Sequence, residues 1–562
     1  MKSNYLTALR TGLAAAIGVT SLLAGCSSQG EAPENTQAAA PQGEVKPLGK
    51  FDPPIEVTAI ANADEQKFFD GDTLQNNPHT RWALEKFGMK INYSIQPASG
   101  DQLKQKLQLM LASGEKLPDI INYYNDPVMV GQLIDSGQFI EVEELYNQYA
   151  GRIYKDHAEQ HPEFWYPFMK DGKKYGIPLL EYQRNNEPVL WLREDWMKKL
   201  NLPAPKTLVD LEAVMDKFKN ENPDGIPAGE VTPLVIALKN GGHGWMATVD
   251  WLFGAYGSVH EQWNKKSDGT LEYGSVHPGA KKALGKLSEW MGKGYISRDA
   301  GMMEEVKASE LIIAGKSGVV VGPNWMPDWP FPDVLKNAPQ AEWKAYPIPA
   351  GPDGTIGTLG DDAGSNGVIL INKDFKHPEA FWLYYNYLLD HYANPQSGGE
   401  FEHGFAKGYD WDILDGQPTN DKSKLPKATT NFNFLTGISR NPARIPSLYF
   451  DTLVKLAEGK EAVTPYEKLT KQTRKPENWH AAKVVLDQKD IRKPNYFNGA
   501  PTETMREKWD LLMQSELETF NKIIYGKESE AAFDAFVEKW KKNGGDQITK
   551  EVNEWYRSVS GK

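Results

Sequence analysis

Apolar and polar residues alternate with the period of a β-strand from Ile55 to Ile60, and a similar run covers residues 90–95. Leucine and methionine side chains recur at helical spacing in residues 101–114. Residues 119–121 then form a short apolar strand pattern. This order of strand, helix and strand predicts a parallel or mixed sheet with crossover helices. Ligands of such sheets bind beyond the carboxyl ends of the strands, which here means the loop Asn122–Asp126.

The alternation continues through the middle of the chain, where the helix ends are more clearly marked. Thr207 and Asp210 form a capping signal for a helix that Pro223-Asp224-Gly225 ends. Another helix is predicted over about residues 280–291, and residues 317–323 have the pattern of a buried strand. We therefore expect an α/β protein, and we find no internal repeat.

Residues 1–25 have the pattern of a bacterial lipoprotein signal peptide. A short basic segment precedes an apolar run from Leu13 to Leu23, and small residues lead to Cys26, the only cysteine. The apolar run is shorter than the ~20 residues that a membrane-spanning helix needs. We expect cleavage before Cys26, acylation of that cysteine with palmitate, and an extracytoplasmic protein anchored by lipid to the bacterial cell membrane. Residues 26–54 are predicted to be a flexible tether because they are rich in Gln, Ala, Glu and Pro.

Composition narrows the function classes. The chain of 562 residues carries a formal net charge of −12, so it repels nucleic acid at long range. It is too long for a single core, and we expect two or more lobes. With one cysteine there is no intramolecular disulfide. The 17 Trp and 24 Tyr residues favour carbohydrate, because an aromatic ring suits the apolar face of a sugar while polar neighbours bind its hydroxyls.

Several characteristic segments follow one another along the chain, including Leu117-Pro118-Asp119-Ile120, Gly172-Lys173-Lys174-Tyr175-Gly176-Ile177-Pro178, Leu190-Trp191-Leu192-Arg193-Glu194-Asp195-Trp196, Val321-Gly322-Pro323-Asn324-Trp325 and Glu551-Val552-Asn553-Glu554-Trp555-Tyr556. In this order they resemble the large lipoprotein branch of the extracellular solute-binding proteins of sugar ABC importers. The resemblance implies a two-lobed periplasmic-binding-protein-like fold, of the maltose-binding-protein-like type II, with the ligand cleft between the lobes. It also implies a monomeric receptor that captures an oligosaccharide and delivers it to the permease subunits of an ABC transporter.

The same resemblance leads us to expect lobe 1 over residues 55–180 with a return segment at about 326–370. Lobe 2 is then expected over residues 181–325 with most of 371–562. The chain is expected to cross between the lobes near Ile177–Val189, near Gly322 and near Gly367–Asn372. Hinge closure of such lobes requires only a few residues that absorb the rotation.

Candidate ligand-binding residues lie in glycine-rich, proline-rich or polar segments. The glycines of residues 240–245 let the backbone approach a ligand, and residues 323–329 leave a strand for a loop. Tryptophans in such segments, at 165, 245, 325, 329, 343 and 411, are stacking candidates, whereas Trp196, Trp290, Trp382, Trp509, Trp540 and Trp555 have helical patterns typical of packing. The alternative for each candidate tryptophan is that its side chain covers the core from a loop without binding a ligand. The alternative for Asp361-Asp362 is a solvated turn without a ligand. The predicted ligand-binding residues are Asn125, Glu181, Tyr182, Arg184, His243, Trp245, Asn324, Trp325, Trp329, Asp361, Asp362 and His403.

Two segments raise the question of a metal ion. His157 and His161 are spaced to share zinc on a helix, but Ala158 stands where a metalloprotease needs its base. Residues 222–225 resemble the opening of a calcium loop that some relatives carry, yet the oxygen ligands that should follow are missing. We therefore expect no cofactor.

Two other function classes stay open. A secreted glycoside hydrolase or lyase would share the size and the aromatic content, and would need two carboxyl groups across the scissile bond. No nucleophile elbow, zinc motif or phosphate loop occurs in the sequence, so we expect a protein that is not an enzyme. A surface adhesin without a small ligand is the second alternative.

Overall fold

The computed structural model describes residues 49–62, 68–69, 71–124, 126–227, 229–360, 365–429, 432–437 and 442–560. The predicted lipidation site Cys26 and the predicted ligand residues Asn125, Asp361 and Asp362 lie outside these ranges. Within the described residues, no helix combines the length and the apolar character that crossing a bilayer requires.

Strands and helices alternate along most of the described chain. The strands are β1 (Ile55–Ile60), β2 (Met89–Ile95), β3 (Ile120–Tyr123), β4 (Met169–Lys170), β5 (Lys173–Lys174), β6 (Gly176–Leu180), β7 (Pro188–Arg193), β8 (Leu234–Val235), β9 (Trp263–Lys265), β10 (Leu271–Tyr273), β11 (Val319–Pro323), β12 (Trp343–Tyr346), β13 (Thr358–Gly360), β14 (Ser365–Ile371), β15 (Asp412–Leu414), β16 (Gln417–Thr419) and β17 (Arg492–Pro494).

The α-helices are α1 (Pro78–Phe87), α2 (Gly100–Ser113), α3 (Pro127–Asp135), α4 (Glu143–Tyr149), α5 (Arg152–Gln160), α6 (Glu194–Lys199), α7 (Leu208–Glu221), α8 (Asp250–Gly254), α9 (Pro278–Gly292), α10 (Glu305–Ile313), α11 (Phe331–Val334), α12 (Ala380–Tyr387), α13 (Pro446–Ala457), α14 (Pro465–Thr473), α15 (Pro476–Asp487), α16 (Glu503–Ile524), α17 (Ala531–Trp540) and α18 (Asp546–Ser560). Shorter 3₁₀ segments cover Pro162–Phe168, Gly274–Val276, Ala300–Met302, Lys422–Lys424 and Lys489–Ile491, and π-helical turns cover Leu388–Tyr392 and Lys541–Gly545.

One mixed sheet has the strand order β2-β1-β3-β14-β6. Strand β1 is parallel to β2 and β3, and β14 is antiparallel to β3 and β6. Because successive side chains point to opposite faces, Ile369 and Ile371 pack on the face covered by α1, α5 and α12, while Val368 and Leu370 pack against α2 and α3. The predicted strands at 55–60 and 90–95 and the predicted mixed sheet with crossover helices are confirmed.

A second sheet has the order β12-β7-β11-β8. Leu190 and Leu192 of β7 face a core formed with α7, α9 and α16, whereas Val189 and Trp191 face α13 and α15. The capping box predicted at Thr207 and Asp210 is present at the start of α7, and each side chain accepts from the other residue's backbone N–H. Both faces of both sheets are therefore covered by helices, which is the two-sided α/β arrangement.

The chain passes from one sheet to the other three times within the described residues and the short gap before β14. Residues 181–187 join β6 to β7, residues 347–364 join β12 to β14, and residues 444–448 lead from Ala443 in the first core to Tyr449 in the core beside β7. The segment near Gly322 instead stays within the second sheet, because β11 pairs with β7 and β8. The crossing at 444–448 has no counterpart in the sequence-based expectation.

These placements differ from the lobe bounds expected from the sequence. Of the segment 326–370, β12 joins the second sheet and only β14 joins the first. Of the described part of the segment 371–562, α12, the apolar residues of 432–435 and Ala443 pack with the first sheet, while α13 to α18 pack with the second. Apolar patterning does not reveal this division, because a helix that packs on either sheet has the same 3.6-residue period.

Candidate ligand site between the two sheets

Three tryptophans form a cluster beside the end of β11. The rings of Trp245 and Trp325 stack with centroids 5.4 Å apart and planes at 29°, and Trp329 lies 6.0 Å from Trp245. All three side chains are partly exposed. The indole N–H of Trp325 donates to the carbonyl oxygen of Asn185, 3.1 Å away, so the cluster is attached to the first crossing segment. Partly exposed indole rings that are fixed in this way provide the flat apolar surface that a sugar ring needs.

Two arginine–carboxylate pairs, one largely buried and one partly exposed, flank the aromatic residues that pack with these rings. Arg444 contacts Glu181, and Arg474 contacts Asp328, which lies between Trp325 and Trp329 in the chain. The Glu181 side chain is 6 % exposed and the Arg444 side chain 13 %. Each pair joins residues far apart in sequence, and the first links the crossing segments 181–187 and 444–448.

Tyrosine rings fill the space between the two arginines. Tyr182 packs on Tyr449 with centroids 4.7 Å apart, the Arg444 guanidinium lies 5.1 Å from the Tyr182 ring, and that of Arg474 lies 5.4 Å from the Tyr449 ring. Tyr466 lies beside Tyr182. The guanidinium groups here donate hydrogen bonds and the carboxylate groups accept them. A sugar hydroxyl both donates and accepts, so it can bind to either kind of group.

Burial controls the ionisation of this group. It raises the pKa of Asp328, although Arg474 opposes the change. It also raises the pKa of Tyr449 to about 12, so the phenol stays neutral at physiological pH. Asn324 is almost completely buried, and its side-chain amide has no hydrogen-bond partner among the described residues.

The glycine-rich loop 240–245 is attached by His243 to a buried carboxylate in the second half of the molecule, the half built on the sheet β12-β7-β11-β8. His243 Nδ1 lies 2.6 Å from Asp250 Oδ1, and His260 Nδ1 lies 3.3 Å from the same oxygen. Burial disfavours the charged His243, but the Asp250 carboxylate outweighs this effect and raises the pKa of His243 to about 9. Burial lowers the pKa of His260 to about 4 and raises the pKa values of Glu261 and Glu516. His243 is therefore a cation that fixes the loop next to Trp245.

A cavity of about 380 Å³ lies at the carboxyl ends of β1 and β3. Asn62, Asn122 and Tyr124 line it together with the first turn of α2. The Asn62 side chain is 7 % exposed and its amide has no partner among the described residues. Gly437 closes one side with φ of +72°, and a Cβ there would lie 2.6 Å from the Asn122 side chain, so only glycine fits. The cavity occupies the place that the sheet topology predicted for a ligand, and Tyr124 and Asp126 on either side of Asn125 line it.

The structure brings five predicted ligand residues into one connected group, whose members are Glu181, Tyr182, Trp245, Trp325 and Trp329. Asn324 precedes Trp325 in the chain, but no hydrogen bond of its side chain to a described residue joins it to the group. His243 joins it through the loop that carries Trp245. Arg184 lies elsewhere: it pairs with Glu187 at 3.8 Å, packs on Phe450 and lines a separate cavity of about 540 Å³. His403 packs on Trp411, and in the described part of the chain no contact joins it to the group.

Sequence reasoning missed Arg444, Arg474, Tyr449 and Tyr466, which supply the cations and two of the rings. They lie in or beside helices α13 and α14, where no local motif marks them. Two stacking candidates were wrong, because Trp165 is 4 % exposed and Trp343 is 7 % exposed and both belong to cores. Trp555, which its helical pattern assigns to packing, packs against the core of the second sheet, and its half-buried ring also lines a cavity.

Neither metal segment gathers a ligand set in the described part of the chain, where no cluster of three or more His, Cys, Asp or Glu side chains is placed to hold an ion. His157 and His161 pack ring to ring, 4.8 Å apart, and His161 pairs with Glu163. In the loop after α7, the Asp224 carboxylate accepts hydrogen bonds from Arg193 and from the Trp196 indole, both at 2.8 Å. A guanidinium thus already neutralises the carboxylate that a calcium ion would use.

Comparison with known proteins agrees with this architecture. Residues 70–394 match the family model described as "Bacterial extracellular solute-binding protein". The chain belongs to this family. Among curated relatives, it is 24 % identical over 490 residues to "Lipoprotein LipO" of Bacillus subtilis. The matched region covers 85 % of this chain and 88 % of that protein. It is 25 % identical over 398 residues to the "Polygalacturonan/rhamnogalacturonan-binding protein YtcQ" of the same organism, covering 69 % of this chain and 71 % of that protein.

Solved structures show the same fold. The alginate-binding protein AlgQ2, in its structure without calcium ion, matches 90 % of this solute-binding chain and 98 % of its own, with a TM-score of 0.65 and 18 % identity. The ABC-transporter substrate-binding protein FusA of Streptococcus pneumoniae, in complex with kestose, matches 90 % of this chain and 99 % of its own, with a TM-score of 0.62 and 18 % identity. The predicted two-lobed solute-binding fold is confirmed.

Proposed function

We propose that the protein captures an oligosaccharide between its two halves and delivers it to the permease of an ABC importer. The observation that carries this proposal is the cluster of Trp245, Trp325 and Trp329, which packs in one core with tyrosines that contact two arginine–carboxylate pairs. Rings for the apolar face of a sugar and charged groups for its hydroxyls are therefore adjacent. Names of the curated relatives, which include a fructooligosaccharide ABC transporter substrate-binding protein, support the same ligand class.

The contacts of the crossing segments suggest how binding couples to closure. Glu181 belongs to the first crossing segment, Trp325 contacts that segment, and Arg444 begins the third. A sugar that contacts these residues touches the segments that must move when the halves close, and it stabilises the closed arrangement by the difference between its affinities for the two forms. The permease then recognises the closed form. The protein acts as a monomer and carries out no chemistry on the sugar.

The experiment is calorimetric titration of the chain with fructo-, xylo-, malto- and galacturono-oligosaccharides, followed by product analysis. We expect one series to bind without turnover, and we expect Trp325→Ala to weaken that binding by ~1 to 3 kcal/mol because a stacking surface is lost. Trp411→Ala removes a half-buried indole outside the group and serves as the matched control. Unchanged affinity in Trp325→Ala would refute the site, and release of shorter products would favour a hydrolase.

We further propose that Cys26 holds this receptor at the membrane surface through an acyl chain. The lipoprotein name of one relative supports this, and the segment before Cys26 has the composition of a signal peptide. Cys26→Ala should move the protein from the membrane fraction to the medium while its sugar affinity stays the same. Retention at the membrane would refute the anchor, and a loss of affinity would contradict the separation of anchor and receptor.

We also propose that the loop after α7 functions without calcium. Arg193, whose side chain is fully buried, pairs with both Asp195 and Asp224, and it stacks 4.5 Å above the Trp196 ring. The cation that balances these carboxylates is therefore part of the chain. Asp224 and the fold around it should not depend on a metal ion.

A further inference from the structure

A further cavity, of about 440 Å³, lies where the two halves of the molecule meet near the C-terminal helix. Glu163 and Tyr166 line it from the 3₁₀ segment that packs on β6, and Trp555 and Tyr556 line it from α18. Tyr496 and Asn498 complete it from the loop after β17. Its walls therefore come from both halves.

Aromatic rings provide most of the apolar wall. Tyr166 stands at 82° to Trp555 with centroids 5.8 Å apart, and Phe497 stands at 79° to the same indole at 4.9 Å. Gly499 makes this packing possible, because a Cβ there would lie 2.6 Å from the Trp555 ring. The loop thus holds the indole in a fixed orientation while the side chain stays half-buried.

Two asparagines at this cavity keep side-chain groups without a protein partner among the described residues, whereas Glu163 pairs with His161. Asn498 makes no hydrogen bond to any described residue. Asn495 accepts backbone N–H bonds from Trp263 and Phe497 through its Oδ1, which leaves its amide N–H groups without an acceptor among the described residues. Glu163 adds an acceptor, and no lysine or arginine lines the cavity. Rings, amides and one carboxylate suit hydroxyl groups and do not suit an anion.

A chain of polar contacts runs from this cavity toward the candidate site. Glu163 Oε1 lies 3.0 Å from His161 Nδ1, and His161 Nε2 lies 3.2 Å from the side-chain amide of Gln183. Gln183 follows Tyr182 in the first crossing segment. We propose that this cavity is a distal subsite that binds further neutral units of a long oligosaccharide whose first units occupy the Trp325 site. This proposal rests on the proposed function, since it extends the same ligand.

The test is to titrate calorimetrically the full chain carrying Cys26→Ala with fructo-, xylo- and malto-oligosaccharides of increasing length, from disaccharide to octasaccharide. In the series that binds, the wild-type affinity should rise with length. Trp555→Ala should lower the affinity for the longest members by about tenfold and leave disaccharide affinity within about twofold, because only the longer chains reach the cavity. Trp555→Phe should recover most of the loss.

A second pair of variants separates binding from folding. Asn498→Ala removes a side chain without a protein partner and should lower the affinity only for the long oligosaccharides. Asn220→Ala, on the exposed surface of α7, should change the affinity for neither the long nor the short oligosaccharides. An equal loss at every length, or no loss at any length, would overturn the distal subsite while leaving the Trp325 site intact. If none of the series binds and Trp325→Ala has no effect on any glycan, the proposed function itself fails.

Discussion

Replacing Glu181 by Gln provides the most direct test of the contacts that join the two halves. Glu181 and Arg444 are 6 % and 13 % exposed, so both charges have lost most of their water. The substitution leaves the Arg444 guanidinium buried on the Tyr182 ring without its carboxylate. Breaking a buried pair in this way costs about 3 to 5 kcal/mol of unfolding free energy. The double variant Glu181→Gln/Arg444→Met should recover part of this cost because no charge stays buried.

The assay is urea unfolding at neutral pH, with the free energies compared only if the m values agree. Glu342→Gln is the matched control, because Glu342 pairs with Lys198 where the two side chains are 59 % and 61 % exposed. An exposed pair contributes only about 0 to 1 kcal/mol. If Glu181→Gln costs no more than this control, the pair is solvated and the crossing segments are not held as the structure indicates. The double variant should have a lower affinity for sugar even though its stability is partly recovered, because the carboxylate and the guanidinium that would bind sugar hydroxyls are gone.

Two further predictions concern charge and metal. The folded pKa of His243, about 9, lies above its ordinary value of 6.5, so this group stabilises the fold fully below pH 6.5 and loses that contribution as the pH rises through 9. The melting temperature should fall across that window, and Asp250→Asn should flatten the profile; an equally steep profile in the variant would contradict the assignment. Asp224→Asn should lower the melting temperature by leaving Arg193 partly unpaired, whereas calcium or a chelator should leave the wild-type melting curve unchanged.

Local pattern was enough for much of the fold. Strands β1 and β2, the capping box of α7 and the buried strand β11 lie where the periodicity predicts them, because each depends on side chains within one or two turns of chain. The cleft segment around Trp325 was also predicted, since a strand that ends in proline and asparagine must leave its sheet. The assignment of α12 and β12 to their sheets was not predicted, because the same pattern packs equally well on either sheet.

The sequence by itself determined the α/β class and the residue types from which a sugar site can be built, and it predicts a lipoprotein signal before Cys26. Only the tertiary structure decided which of them meet. Arg444 reaches Glu181 across 263 positions of the chain, and Arg474 reaches Asp328 across 146. Trp165 and Trp343 enter cores, while Trp555 faces a cavity. The burial and the contacts of these residues depend on how separate elements pack. The spacing of apolar residues indicates which face of an element is buried, but not which other element covers that face.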